Sequence, residues 1–321
     1  MSESHSKRNP EILCLGEAMA EFVRQGTQDS DTWISGVGGD TSNAAIAAAR
    51  QGGNVGYLSA LGADRFGMRI LRLWESEGID TSGVLQNPDA ATGIYFIDPD
   101  PAERHFTYFR TGSAASLFGV SDLDTDRLLN ARILHTSGIT LAVSGSMRNA
   151  SLAAMERMRE AGRDVSLDTN LRLKLWDVET ARTVLDRAAA LATVLITSVD
   201  DSAHLTGVRD PDAILSRYRN LGPRIVIVTL GAEGARIAVN DEIRTIAASP
   251  ADPVDSSGAG DSFSGAFLSW WLETGDPFLA ARLAGIVAAG TVSGLGAVRP
   301  VPGRREVLEK ARRQGIALPV A

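Results

Sequence analysis

Across 321 residues the chain holds one cysteine, four histidines and three lysines. The single thiol, Cys14, cannot close an internal disulfide. It lies in the apolar run ILCLG, so it reads as a small buried hydrophobe of a reducing compartment. Four scattered histidines and that one cysteine lack ligand spacing, so no zinc site is suggested. Positive charge is also short: Lys+Arg 32 against Asp+Glu 39 leaves a net charge of −7. No basic face then dominates the field, and nucleic acid is not an expected partner. The most apolar late stretch, Leu283 to Val298, is broken by Thr, Ser and Gly and flanked by Arg282 and Arg299, so no membrane span is expected. MSESHSKRNP at the start has no apolar core of a signal peptide; residues 1–9 read as a disordered tail and the expected location is cytoplasmic. Also missing are a G-x-x-x-x-G-K-[ST] phosphate loop and a G-x-S-x-G nucleophile elbow.

What is present is a strand–helix alternation. Ile12–Gly16, Val55–Leu61, Ile133–Ser137, Val165–Asp168, Val194–Thr197 and Ile225–Leu230 are short apolar runs, several without alternation, as in strands covered on both faces. Between them Thr41–Gln51, Phe66–Glu77, Ser146–Ala161, Asp177–Ala190, Asp261–Thr274 and Phe278–Val292 carry helical periodicity. Ser144 or Ser146 is placed as an N-cap and Gly162 as the residue past a C-cap. The repetition predicts an α/β fold with a doubly wound, mostly parallel sheet. Two segments, about 20–37 and 91–113, break the rhythm. In the second, GIYFID and RHFTYFR read as an antiparallel hairpin around Pro99–Pro101, with Phe106, Tyr108 and Arg110 on one face and His105, Thr107 and Phe109 on the other. Together they read as a small sheet over a ligand crevice, or as an ordinary edge hairpin.

The stretch DSSGAGDSFSGAF, Asp255 to Phe267, sets glycines and a carboxylate where a helix begins. Unpaired amides at a helix N-terminus carry partial positive charge, and glycine lets an anion approach them. The amides of Gly258, Ala259 and Gly260 can therefore cradle a phosphoryl group, and Asp261 can take the proton of an attacking hydroxyl. A plain helix cap would explain Asp261 equally well. A dinucleotide fingerprint is disfavoured, because Phe263 stands where its third glycine belongs and a proline-bearing loop precedes it.

This stretch resembles the D-T-x-G-A-G-D-x-F signature of the ribokinase-like (phosphofructokinase B) sugar kinases. GGDTSNAAIAAARQGGNVGYLSALGADRFG, from Gly38 to Gly67, resembles that family's second signature. The resemblance covers about residues 10–310. It implies one α/β/α domain with a β-sheet lid, and ATP- and magnesium-dependent phosphorylation of a sugar hydroxyl. It further implies that Gly38, Gly39, Asp40 and Asn43 hold sugar hydroxyls, although a helix cap would also explain Asp40. Tyr95 in GIYFI, Tyr108 and Arg110 in FTYFRTGSAAS, and Arg172 in DTNLRLKLW resemble the 2-keto-3-deoxygluconate kinase branch. Arginine's planar fork suits a carboxylate, and Arg172 lies just past a predicted strand's carboxyl end, where ligands bind in open α/β sheets. With so few lysines, however, arginine is the default cation of this chain.

On the nucleotide side the resemblance implies contacts from Thr229, Gly231 and Gly234 in VTLGAEGARIAV, which a tight hairpin would also explain. Where the family has N-x-x-E, this chain has Ser198-Val199-Asp200-Asp201. The expectation is Ser198 at the nucleotide and Asp201 at magnesium through a water. Gly285 offers the base only backbone or packing. Asp255 and Ser257 match positions that hold a monovalent cation such as potassium in some relatives, and homodimer formation through the lid is a further implication. The expected reaction is phosphorylation of the terminal hydroxyl of 2-keto-3-deoxygluconate or a near epimer. The rival expectations are a kinase of a neutral sugar such as fructose, a catalytically silent sugar- or nucleotide-binding regulator, and a dehydrogenase.

Overall fold

Side-chain alternation along the first strand sets the architecture. Ile12 and Cys14 point into one hydrophobic cluster and Leu13 and Leu15 into another, so the strand is covered on both faces. The computed structural model describes residues 9–26, 30–99 and 104–318; most of the expected tail and the tip of the expected hairpin lie outside them. Its strands are β1 Ile12–Leu15, β2 Met19–Arg24, β3 Trp33–Gly38, β4 Val55–Gly62, β5 Val84–Asn87, β6 Ile94–Pro99, β7 Arg104–Phe109, β8 Ile133–Ser137, β9 Asp164–Asp168, β10 Val194–Ser198, β11 Ile225–Thr229, β12 Ala235–Val239 and β13 Glu242–Ile246. The large sheet runs β13-β12-β11-β10-β9-β8-β1-β4-β5. It is parallel from β5 to β11 and antiparallel at β11–β12 and β12–β13. This is the doubly wound, mostly parallel sheet expected from the strand–helix alternation.

The second sheet runs β3-β2-β6-β7. It is antiparallel at β2–β3 and β6–β7 and parallel at β2–β6. Its strands come from the two segments that break the rhythm, and the GIYFID–RHFTYFR hairpin is antiparallel as expected. Phe22 and Phe96 stack at 5.2 Å, and Phe96 meets Phe109 edge-on at 6.0 Å, on the face away from Tyr95 and Tyr108.

Helix punctuation follows the sequence closely. The Ser144 hydroxyl accepts from the Met147 amide at 3.0 Å, and Gly162 follows the end of Gly145–Glu160 with φ of 67°. Asp64 likewise caps Arg65–Ser76 through the Phe66 and Gly67 amides. One boundary is corrected: the helix expected from Asp261 spans Ala259–Thr274, with Gly258 as its N-cap in the left-handed region at φ 72°. A Cβ on Gly258 would lie 2.8 Å from backbone atoms of Ala297, so the turn can tighten only around glycine. Among the described residues no helix is long and apolar enough to cross a membrane.

Candidate active site

A cleft of about 560 Å3 opens between the carboxyl ends of the parallel strands and the inner face of the small sheet. This is where ligands bind in open α/β folds. Helix Asp40–Arg50 supplies Asp40 and Asn43, with Gly39 ahead of them; the small sheet supplies Tyr95 and Tyr108, and Arg110 just beyond β7. Arg172 enters from the loop after β9, Asp201 from helix Val199–Thr206, and Gly258 and Asp261 from the start of Ala259–Thr274. The sugar-side residues expected from the sequence therefore meet in one place, except that Gly38 sits outside the lining. A Cβ on Gly38 would fall 1.9 Å from the Tyr95 hydroxyl, so this glycine makes room for the tyrosine.

Asp261 does not cap its own helix. It is the third helical residue, and its carboxylate faces across the cleft floor. Oδ2 accepts from Asn43 Nδ2 at 2.8 Å and Oδ1 from Asn170 Nδ2 at 3.2 Å. Desolvation pushes its pKa up to about 7, with the Asp40 charge adding to the rise and Asn43, Arg172 and Asn170 opposing it. A carboxylate titrating near neutrality is suited to taking a proton. Beside it, the amides of Gly258, Gly260 and Asp261 have no acceptor among the described residues, whereas Ala259 donates to the Ser256 carbonyl at 3.3 Å. The free donors are thus shifted by one residue from the expected set: Ala259 leaves it and the Asp261 amide joins.

Asp40 is likewise not a cap. Gly39 is the N-cap residue, and Asp40 lies buried at the cleft floor, where burial raises its pKa against the pull of Ser137, Thr41, Arg172 and Arg110. Asn43 Oδ1 is buried with no hydrogen-bond partner among the described residues. A buried acceptor aimed at a polar cleft is open to a ligand hydroxyl.

The two arginines differ. Arg172 is exposed in the cleft, donates from Nη1 only to the Leu171 carbonyl at 2.8 Å, and has no carboxylate in salt-bridge contact among the described residues. Arg110 is buried and forms an ion pair with buried Glu17, whose other oxygen accepts from the Ser113 hydroxyl at 3.0 Å. Glu17 escaped the sequence reading. Its position just past the carboxyl end of β1 is the signal that could have singled it out. Tyr95 donates its hydroxyl to Glu21 and stacks on Tyr108 at 5.6 Å, so one wall of the cleft is aromatic.

Asp168 and Asn170, in the quoted DTN, were also missed. Asp168 is buried and accepts from the Ser264 hydroxyl at 3.0 Å and the Asn170 amide at 3.2 Å. Burial, then the charges of Asp261 and Asp201, pushes its pKa up to about 8.

Of the nucleotide-side residues, Asp201 lines this cleft, whereas Ser198, Thr229, Gly231 and Gly234 stand outside its lining. The Ser198 hydroxyl caps its helix by accepting from the Asp201 amide at 3.0 Å, a structural job that accounts for the serine. Thr229 donates to the Thr197 carbonyl at 3.3 Å, and Gly234 closes the turn before β12 at φ 100°. Gly231 and Gly260 both face open space. Asp201 Oδ2 accepts from Thr169 Oγ1 at 2.9 Å and the Leu171 amide at 3.0 Å. Among the described residues no group of three or more His, Cys, Asp or Glu is placed to hold a metal. One carboxylate at the cleft still fits magnesium, which keeps several waters and takes its remaining oxygens from phosphates.

The buried floor of Asp40, Asn43 and Asp261, the free amides at a helix start and the covering small sheet suit a cleft where a hydroxyl is phosphorylated. The chain belongs to the pfkB family of carbohydrate kinases, whose family description it matches over residues 9–304, and it is a sugar kinase. It is 37% identical over 278 residues, 85% of this chain and 84% of the relative, to a 2-dehydro-3-deoxygluconokinase of Thermoproteus tenax. It is 33% identical over 266 residues to a probable fructokinase-4 of Arabidopsis thaliana, covering 80% of this chain and 81% of that one. The crystal structure of a fructokinase with bound ATP from Xylella fastidiosa superposes with a TM-score of 0.87 at 27% identity, over 95% of this chain and 98% of the other.

Proposed function

We propose that the protein transfers the terminal phosphoryl group of ATP to the terminal hydroxyl of 2-keto-3-deoxygluconate or a near epimer. Asp261 takes the hydroxyl proton as the sugar oxygen bonds to phosphorus and the bond to the ADP oxygen breaks. The amides of Gly258, Gly260 and Asp261 receive the charge spread over the moving phosphoryl oxygens. Asn43 Oδ1 and Asp40 accept from sugar hydroxyls, and the aromatic wall of Tyr95 and Tyr108 excludes water. Magnesium, when bound with ATP, neutralises phosphate charge; Asp201 would hold it through water.

The observation that carries the acid specificity is Arg172, a guanidinium in the cleft without a carboxylate partner among the described residues. The likeness to a 2-dehydro-3-deoxygluconokinase supports the same substrate. The Arg110–Glu17 pair favours a second reading, phosphorylation of a neutral hexose such as fructose, because it leaves one of the two forks already neutralised. A coupled ADP-release assay across 2-keto-3-deoxygluconate, its galactonate epimer, fructose and glucose separates the two. Turnover of the keto-deoxy acids at least tenfold above fructose is the expected result, and preference for fructose overturns the acid reading.

A further inference from the structure

Two like charges, Asp40 and Asp261, meet at the cleft floor, and one side chain touches both. Asn170 Nδ2 lies 3.3 Å from Asp40 Oδ2 and 3.2 Å from Asp261 Oδ1. An amide nitrogen carries two protons, one for each carboxylate. The backbone is set for this: Asn170 stands at φ 31°, in the left-handed region, and its own amide donates to Asp168 Oδ1 at 3.2 Å. Asparagine tolerates that conformation better than most residues. Asn170 is buried, so water does not compete for its side chain.

We propose that Asn170 is a positioning residue for phosphoryl transfer: its side-chain amide bridges Asp40, on the sugar side, to Asp261, the base, and fixes the distance between sugar and proton acceptor. The inference rests on Asp261 acting as the base. Asn43 holds the other oxygen of Asp261 at 2.8 Å, so the two amides together fix the carboxylate plane. The charged and titratable groups around Asp261 are Asp40, Asp168, Arg172 and Tyr95. Asn170 and Asn43 donate to the ionised carboxylate and oppose Asp40, so loss of Asn170 makes the doubly ionised pair harder to reach and raises its upper apparent pKa.

Asn170→Gly keeps the left-handed backbone and removes the amide; Asn170→Asp keeps the shape and replaces the donor by a third carboxylate. Steady-state kinetics with ATP and 2-keto-3-deoxygluconate, or fructose if only the neutral sugar is turned over, are measured from pH 5 to 9, beside Asp261→Asn. Asn170→Gly is expected to lose about ten- to a hundredfold in kcat with a smaller change in KM, and its acidic limb moves up by about one pH unit. Asn170→Asp loses more kcat and shifts that limb further. If Asn170→Gly has the wild-type acidic limb, whether kcat is retained or lost, the bridge plays no positioning part and the proposal fails. If only KM changes, the proposal fails as well. Asp261→Asn separates the two ideas: turnover retained there removes the base and the bridge together, whereas a dead Asp261→Asn beside an unshifted Asn170→Gly removes the bridge alone.

Discussion

A guanidinium in a cleft recognises an anion only to the extent that its charge is not already answered. Arg110 is answered by Glu17, and both are buried. Removing the arginine would strand a buried carboxylate, which costs about 3–5 kcal/mol of stability and obscures any effect on substrate. Arg172 has no such partner among the described residues and is exposed, so its removal leaves the fold alone. Arg172→Ala is therefore the interpretable change. A charge-assisted hydrogen bond is worth ~1.5–3 kcal/mol, about ten- to a hundredfold in KM for a keto-deoxy acid. Turnover of fructose, where it occurs, should fall much less, only as far as loss of the Arg172 charge raises the pKa of Asp261, and Tm should stay within about 2 °C. An equal loss on acid and neutral sugars would show that Arg172 does not read the carboxylate.

At the scale of elements, the site depends on how closely two helices cross. Helix Ala259–Thr274 lies on helix Asp40–Arg50 at Gly265, where a Cβ would fall 1.9 Å from the Ala44 carbonyl oxygen. That contact is backbone, which cannot rotate away, and one turn along the same crossing Asn43 reaches Asp261 at 2.8 Å. Gly265→Ala must push the helices apart. Overpacking of this kind costs about 1–3 kcal/mol, and the shift opens the Asn43–Asp261 contact, so kcat should fall at least tenfold even at temperatures where the variant is folded. Thermal unfolding and kcat together check this; wild-type kcat in a stable variant would refute it. Such a crossing is invisible in one sequence, which shows Gly265 only as one more glycine in a helical pattern. The helices were legible from apolar residues recurring at a period near 3.6, and the parallel strands from short continuous apolar runs, because they are buried on both faces. The start of Ala259–Thr274 was misplaced by two residues because a left-handed glycine cap leaves no side-chain signature. Asp261 stood out through its glycine-rich helix start, and Asp40 and Asn43 through the family resemblance; the structure brings all three to one cleft floor. Glu17 was not, since its partner Arg110 is distant in sequence and only the packing of the small sheet brings them together. The quoted DTN contained Asn170, but its role became visible only once the strand end met two other helices.

For the molecule as a whole, several buried carboxylates give stability an unusual dependence on pH. Burial raises the pKa of Asp168 to about 8 and of Asp261 to about 7, and raises Glu17, Glu21 and Asp40 as well. In the unfolded chain such groups titrate at about 4. The native state therefore holds protons that the unfolded state has released, and this contribution is complete below about pH 4 and is lost as pH rises through the folded values. Asp64 and Asp80 act oppositely: against a desolvation that raises them, the Thr92 and Gly67 amides lower Asp64, and the Ser82 hydroxyl and amide, then Arg127, lower Asp80, so their contribution is present above the ordinary carboxylate range and lost as pH falls below it. The two trends meet near the ordinary carboxylate value, so they place greatest stability at about pH 4, with a decline as pH rises from there toward 8. Asp168 is buried with its pKa pushed up to about 8, and in an asparagine the side-chain oxygen can still accept from the Asn170 backbone amide while the NH2 donates to the Ser264 hydroxyl. Wild-type Tm should fall by roughly 5 °C between pH 6 and pH 9, and Asp168→Asn should remove a large part of that fall. Calorimetry at fixed ionic strength across that range measures both slopes. If the variant's Tm falls as steeply as the wild type's, Asp168 is not the group that keeps its proton in the folded protein.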